Sequence, residues 1–183
     1  MADRQPLVRP ASRNEVWSAD FVFDRLVDGR CLKCLTVVDD ATHESVAIHP
    51  DTVISGAYVT RILDQVKQKR GLPKVIRSDN GKEFCGRAMA IWAYRNGVAL
   101  RFIEPGKPNQ NAYVESFKGR LRNECLNEHW FTSPAHARMA IETWRQDYNE
   151  SRPKKDLGDL PPAAYAARLN SRMNPGAGKS TTV

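Results

Sequence analysis

The apolar and polar positions change period along the chain, and the changes predict its elements. Over residues 16–23 the pattern alternates. Trp17, Ala19, Phe21 and Phe23 fall on one face of a strand, with Val16, Ser18, Asp20 and Val22 on the other. Asp28-Gly29 is a hairpin turn signal. Residues 31–38 are mostly apolar, which predicts a strand buried on both faces. Asp39-Asp40-Ala41-Thr42 predicts a turn, and residues 44–49 a third short strand. These three strands form an antiparallel meander.

The period then lengthens. Tyr58, Val59, Ile62, Leu63 and Val66 make a helical stripe, with Ser55 as its N-cap. Lys67, Lys69 and Arg70 fall in the last turn, and Gly71 and Pro73 stop the helix. Residues 74–77 return to a strand. A helix is expected over 84–96, with Ala88, Ile91, Trp92 and Arg95 in register and Gly97 ending it. Residues 98–103 are a fifth strand. A Pro/Gly loop over 104–110 leads into a long helix, 111–127, with Val114, Phe117, Leu121 and Cys125 as its stripe. Ser133-Pro134 opens the next helix, which runs to residue 149 with Ala137, Ile141, Trp144 and Tyr148 on one side. The organisation expected is a flexible leader (1–14), one core (15–150), a C-terminal extension (151–169) with a short helix at 163–168, and a disordered tail (170–183) rich in Gly, Ser and Thr.

Three antiparallel strands followed by α-β-α-β-α have few good packings. The order matches an α/β, ribonuclease-H-like arrangement: a five-stranded mixed sheet, three antiparallel strands then parallel ones, with helices on both faces. In that arrangement the middle of the first strand and the end of the fourth lie side by side. The long helix after the fifth strand can present one side chain to both.

Composition narrows the setting. The 183 residues suffice for one good core, and a net charge of +7 suits a polyanionic partner such as nucleic acid. No run of about 18 apolar residues predicts a membrane span, and the polar N-terminus lacks an apolar signal region, so an intracellular protein is expected. Cys31, Cys34, Cys85 and Cys125 are too few and too scattered for a disulfide scaffold. Cys31-x-x-Cys34 with His43 and His49 has too short a gap for a zinc finger, and the strand pattern puts its cysteines on opposite faces.

Three acids stand out. Asp20 is a charge within a strand full of aromatics, and a buried charge is costly unless it is paired or ligates a metal. Asp79 sits on an Asp-Asn-Gly turn at the C-terminal end of a strand, where open α/β sheets place their chemistry. Glu115 lies on the polar side of the long helix, 35 residues after Asp79. Three converging carboxylates repel one another unless a cation intervenes. Oxygen ligands with no His or thiolate among them select Mg²⁺ or Mn²⁺, and two such ions clamp the oxygens of an in-line phosphoryl displacement. Asn111, Glu115, Lys118 and Arg122 follow offsets of four, three and four on one helix face, which suits a metal site beside a phosphate backbone. The plainer reading of that face is a solvated stripe with a Glu115–Lys118 ion pair. Asp39 and Asp40 are read as turn acids, and Glu83 as an acid favoured in a helix's first turn.

Trp17-Ser18-Ala19-Asp20-Phe21, Ser78-Asp79-Asn80-Gly81-Lys82-Glu83-Phe84 and the run from Pro105 through Asn111 and Glu115 to Phe117 resemble the DDE motif of transposases and retroviral-type integrases. Residues 119–127 and Asp147-Tyr148-Asn149-Glu150-Ser151-Arg152-Pro153 narrow the resemblance to the second open reading frame of the insertion-sequence-three family of bacterial transposases. It covers roughly residues 15–168 and implies the following. Asp20 bridges two Mg²⁺ (or Mn²⁺) ions, Asp79 holds one and Glu115 the other. A phosphodiester at the element's end is hydrolysed to free a 3′-OH, which attacks another DNA strand with no covalent protein–DNA intermediate. Asn80 and Gly81 shape the loop behind Asp79, and Asn111, Tyr113 and Ser116 support the Glu115 region. Lys118, Arg122, Lys154 and Lys155, with Asn111, are the expected DNA contacts. The partners implied are element-end and target DNA, further copies of the chain, and a helix-turn-helix subunit or upstream region that recognises the ends. The setting implied is the bacterial cytoplasm, at the nucleoid.

Two departures from the family pattern stand out. Lys154 follows Arg152-Pro153 where His is frequent, and Glu104 stands where a basic or neutral residue is frequent. The stretch before Asp20 has no room for a helix-turn-helix and coiled coil, so a separately made catalytic frame or a fragment is expected. Two rivals remain: a nuclease of the same fold without strand transfer, and a decayed domain that only binds DNA.

Overall fold

The computed structural model describes residues 7–175. Its sheet has the order β3-β2-β1-β4-β5, with β1 at Val16–Arg25, β2 at Cys31–Asp39, β3 at Ser45–Asp51, β4 at Val75–Ser78 and β5 at Ala99–Phe102. β1 pairs antiparallel with β2 and parallel with β4, so strand direction changes at β1. β3 is antiparallel to β2, and β5 parallel to β4. This is the mixed ribonuclease-H-like sheet that the element order predicts. Pro50 sits in β3, an edge strand, where the missing N–H interrupts no ladder.

The alternation in β1 sorts its side chains into two cores. Trp17 and Ala19 join Leu35, Val37, Ile76 and residues of α1 (Gly56–Arg70) and α3 (Arg87–Asn96). Val22 joins Leu32, Cys34 and Val38, under α4 (Ala112–Glu124) and α5 (Pro134–Ser151). β2 contributes to both, as its apolar run requires. Phe117 of α4 lies 5.6 Å from the Trp144 ring and 5.0 Å from the Tyr148 ring of α5. Its full burial is worth about 2–3 kcal/mol in transfer free energy. Ser55 and Ser133 cap α1 and α5 by accepting from Tyr58 N and His136 N.

Four expectations are corrected. The helix expected over 84–96 breaks at Gly86 into α2 (Lys82–Cys85) and α3. A Cβ at Gly86 would stand 2.6 Å from the Lys82 carbonyl oxygen, so only glycine permits this close turn. The break rotates the stripe: Met89, Trp92 and Ala93 are buried, while Ile91 and Arg95 are exposed. The long helix begins at Ala112, after a 3-10 turn at Pro108–Asn111, and ends at Glu124.

The stretch 7–14, expected as a flexible leader, is hydrogen-bonded across the fold. Asn14 donates to Asp39 and to the Arg70 carbonyl, and Arg9 to the Asp156 carbonyl and the Tyr165 hydroxyl. The last helix, α6 (Pro162–Met173), is longer than the one expected at 163–168 and takes in residues 170–173 of the expected tail. The remainder of that tail, from 176, lies outside the described residues.

Candidate active site

Asp20 lies near the middle of β1, 9% exposed, on the face that α4 covers. Its Oδ1 accepts from the Phe21 amide at 2.7 Å. Its Oδ2 accepts from Lys118 Nζ of α4, also at 2.7 Å. The same ammonium stands 3.3 Å from Glu115 Oε1. One lysine thus bridges two of the three predicted acids. Burial raises the Asp20 pKa above the ordinary carboxylate value, although the hydrogen bond and charge of Lys118 work the other way. Burial also works against the Lys118 charge, but Asp20 and Glu115 outweigh it and hold the ammonium above its usual range.

Asp79 follows β4 directly. The parallel register pairs Val16 with Val75, Trp17 with Ile76 and Ser18 with Arg77. Continued two residues beyond Ser18, it leads from Asp20 to Asp79. The Asp79 carboxylate is turned by its own loop, Oδ1 accepting from Gly81 N at 2.9 Å. A Cβ at Gly81 would sit 2.9 Å from that oxygen, so any side chain there would push the carboxylate aside. Asn80 Nδ2 donates to the Ile103 carbonyl and ties the loop to the end of β5. Glu115, in the first turn of α4, is 51% exposed. Among the described residues no three acids, histidines or cysteines are gathered closely enough to enclose a metal ion.

The predicted DNA contacts separate. Asn111 is 1% exposed and precedes α4, so it leaves the Glu115–Lys118–Arg122 face and offers nothing to a DNA backbone. The 3-10 turn shifts its phase from the one that a continuous helix would give. Arg122 donates to the Phe23 carbonyl of β1. Lys118 is engaged with the two acids. Lys154 is half-buried over the Tyr148 ring, 4.9 Å from its centroid, and burial, with Arg120 nearby, pushes its pKa down to about 8. It lines a cleft of about 520 Å³ with His43, Tyr113, Ser116 and Arg120. Lys155 is exposed.

The turn acids proved structural and fully buried. Asp40 accepts from Ser18 Oγ at 2.7 Å and Arg77 Nη1 at 2.9 Å. Asp39 accepts from Arg70 Nη2, which also holds Glu44. Glu83 pairs with Lys33 at 2.6 Å. Sequence reasoning missed the Lys118–Asp20 contact. The hint was an unpaired charge in β1 and a lysine three residues after Glu115, but their meeting depends on how α4 crosses the strand.

A mixed five-stranded sheet with helices on both faces is a ribonuclease-H-like domain, and here it carries one acid within β1, another just beyond β4 and a third on the helix packed against β1. The chain belongs to the integrase core domain family, which matches residues 10–108, with a second integrase core domain match over residues 96–162. It is 57% identical over 168 residues to an uncharacterized protein of insertion element IS407 from Burkholderia multivorans, covering 92% of this chain and 61% of that protein. It is 52% identical over 173 residues to an uncharacterized protein of insertion element IS476 from Xanthomonas euvesicatoria, covering 94% of this chain and 50% of that one. The chain therefore spans between half and two thirds of the length of these relatives. The HTLV-2 integrase catalytic core domain in complex with magnesium, in its trimeric form, superposes with a TM-score of 0.70 at 15% identity, over 85% of this chain and 97% of that one. At that identity the likeness is one of fold. Among the described residues no helix is long and apolar enough to cross a membrane.

Proposed function

We propose that this domain catalyses metal-dependent hydrolysis of a phosphodiester at the ends of a mobile DNA element and joins the freed 3′-OH to a second DNA strand. Asp20, Asp79 and Glu115 are the residues that would hold the metal. The observation that carries this reading is the meeting of Asp20 and Glu115 on one ammonium, at the point where the β1–β4 register leads to Asp79.

The donor set fits a divalent cation. It consists of carboxylates alone, which suit Mg²⁺ or Mn²⁺ over softer metals. A positive group already stands between two of them, so the place attracts cations. The magnesium in the HTLV-2 core supports the same choice. Two bound ions would activate the attacking oxygen and neutralise charge developing on the phosphate. The chain's own residues fix the geometry. Asp20 is held by a central strand, with one oxygen spent on Phe21 N and the other free to exchange partners. Asp79 is aimed by its Gly81 turn. Glu115, exposed on the first turn of α4, can change rotamer without disturbing the core.

DNA is the partner that the +7 charge favours. Lys155 is free for phosphate contact, and Lys118 becomes so once it leaves the acids. We assign the chain to multimers acting on paired ends, with end recognition supplied by a helix-turn-helix subunit or region. The alternative of a DNA-binding domain without catalysis draws on one observation, the closed Lys118 bridge. A single assay separates the two. With Mg²⁺ or Mn²⁺ and a duplex bearing the element end, the wild-type chain should nick the end and join it to target DNA, and Asp79→Asn or Glu115→Gln should abolish both with the fold intact. Full activity in those variants would refute the assignment. Nicking without joining would favour the nuclease reading.

A further inference from the structure

Lys118 stands between two of the three acids proposed to hold a divalent cation. Its Nζ lies 2.7 Å from Asp20 Oδ2 and 3.3 Å from Glu115 Oε1. Asp20 Oδ1 is taken by the Phe21 amide, so Oδ2 is the oxygen available for exchange, and Lys118 holds it. The pair is mostly shielded, the lysine side chain 20% exposed and the aspartate 12%. Without a cation, the shielded Asp20 charge would be uncompensated and Glu115 would add repulsion. Two further cations near β1 are engaged elsewhere. Arg122 is bound to a backbone carbonyl, and Lys33 to Glu83, which is no part of the site.

Building on the metal-binding reading above, we infer that Lys118 is a resident counter-cation. Its ammonium occupies the place between Asp20 and Glu115 until a divalent ion displaces it, and the displaced ammonium then becomes available to the DNA backbone. Metal entry and the gain of a phosphate-facing charge are one event. A lysine suits this exchange better than an arginine, because its compact ammonium rides on a flexible stem and makes no bidentate fork. The cost falls on metal affinity. The site is competent only for the fraction of time that Lys118 is withdrawn, and the apparent dissociation constant rises by the inverse of that fraction.

The test is metal binding in the absence of DNA. Mn²⁺ is titrated into the full chain at neutral pH, with free ion read by electron paramagnetic resonance, for the wild type, Lys118→Gln, Lys118→Met and Asp79→Asn. Both Lys118 variants should bind Mn²⁺ about tenfold more tightly than the wild type, within the range that coupled equilibria usually span, and Mn²⁺ should raise their Tm more. Unchanged or weaker binding in both variants, with wild-type binding that Asp79→Asn abolishes, would overturn the counter-cation role and leave the metal site standing. Wild-type binding indifferent to Asp79→Asn would overturn the metal-site reading and this inference with it. Should the variants not fold, the wild-type chain decides. After reductive ¹³C-methylation, the Lys118 resonance should shift as Mg²⁺ is added, and a resonance that stays in place would overturn the inference.

Discussion

Arg77 Nη1 reaches 2.9 Å to Oδ2 of Asp40, a carboxylate with no exposed surface. The contact links the end of β2 to β4 across β1, one residue before Ser78-Asp79. It serves as a brace for the strand that delivers Asp79. Arg77→Met should therefore destabilise the domain by about 3–5 kcal/mol, the usual effect of stranding one buried charge. Arg77→Met with Asp40→Leu should regain most of that loss. Urea denaturation of the two variants measures both, and equal losses would show that the pair is no brace.

Gly81 carries a different expectation, because its backbone is unstrained and only its lack of a Cβ matters. Gly81→Ala pushes against Asp79 Oδ1 and re-aims the carboxylate. The fold should hold, while cleavage falls by about tenfold to a hundredfold, the scale of an ångström-sized misplacement in an active site. Steady-state rates beside a thermal melt separate the two effects. A large fall in Tm with proportionate loss of activity would contradict this account.

Two other glycines should respond in opposite ways. Gly86→Ala places a methyl 2.6 Å from the Lys82 carbonyl and should cost about 1–3 kcal/mol by strain. Gly119→Ala, in α4 with open space around it, should stabilise by about 0.5–1 kcal/mol through helix propensity. Chemical denaturation gives both signs directly.

His43 sets an acid-side dependence. It is buried, with a left-handed backbone at φ 58°. Burial, with Lys154 and Arg9 nearby, pushes its pKa down from 6.5 to about 4, while Asp156 resists. The unfolded chain takes up this proton first, so stability is lost as pH falls from about 6.5 to about 4, by up to about 3 kcal/mol. Asp40 acts in the opposite sense. Burial raises its pKa to about 6 against the Ser18 bond and the Arg77 charge, so its share of stability falls as pH rises from about 4 to 6. The two largely cancel in the wild type. His43→Asn, which tolerates the left-handed backbone, should gain stability relative to the wild type as pH falls through the window. A pH-independent difference would contradict it.

The sheet and its faces were legible because a period of two leaves little choice. Once Trp17 and Ala19 share a face, Asp20 must point to the other, and the order of elements places α4 there. The break at Gly86 was not legible, since glycine is tolerated within helices and the conflict with the Lys82 carbonyl arises only after the turn has formed. Asn111 was misplaced because helical offsets were extended through a 3-10 turn, which has its own period. The anchoring of residues 7–14 by Arg9 and Asn14, and the meeting of Lys118 with Asp20, join positions far apart in sequence. Such contacts are set by packing, and no local pattern records them.

Helix α4 is fastened to β1 twice, one turn apart, through Lys118 to the Asp20 carboxylate and through Arg122 to the Phe23 carbonyl. The first fastening joins two charges that ions can part. The second holds a main-chain oxygen that stays in place as long as the strand does. Mechanically the first is a latch and the second a rivet. Val114 and Phe117, on either side of Glu115, are buried in the core beneath α4, so releasing Lys118 frees side chains and leaves the helix seated. The Glu115 side chain, 51% exposed, is thereby the acid with room to move, while Asp20 is set in the sheet and Asp79 in its adjoining turn.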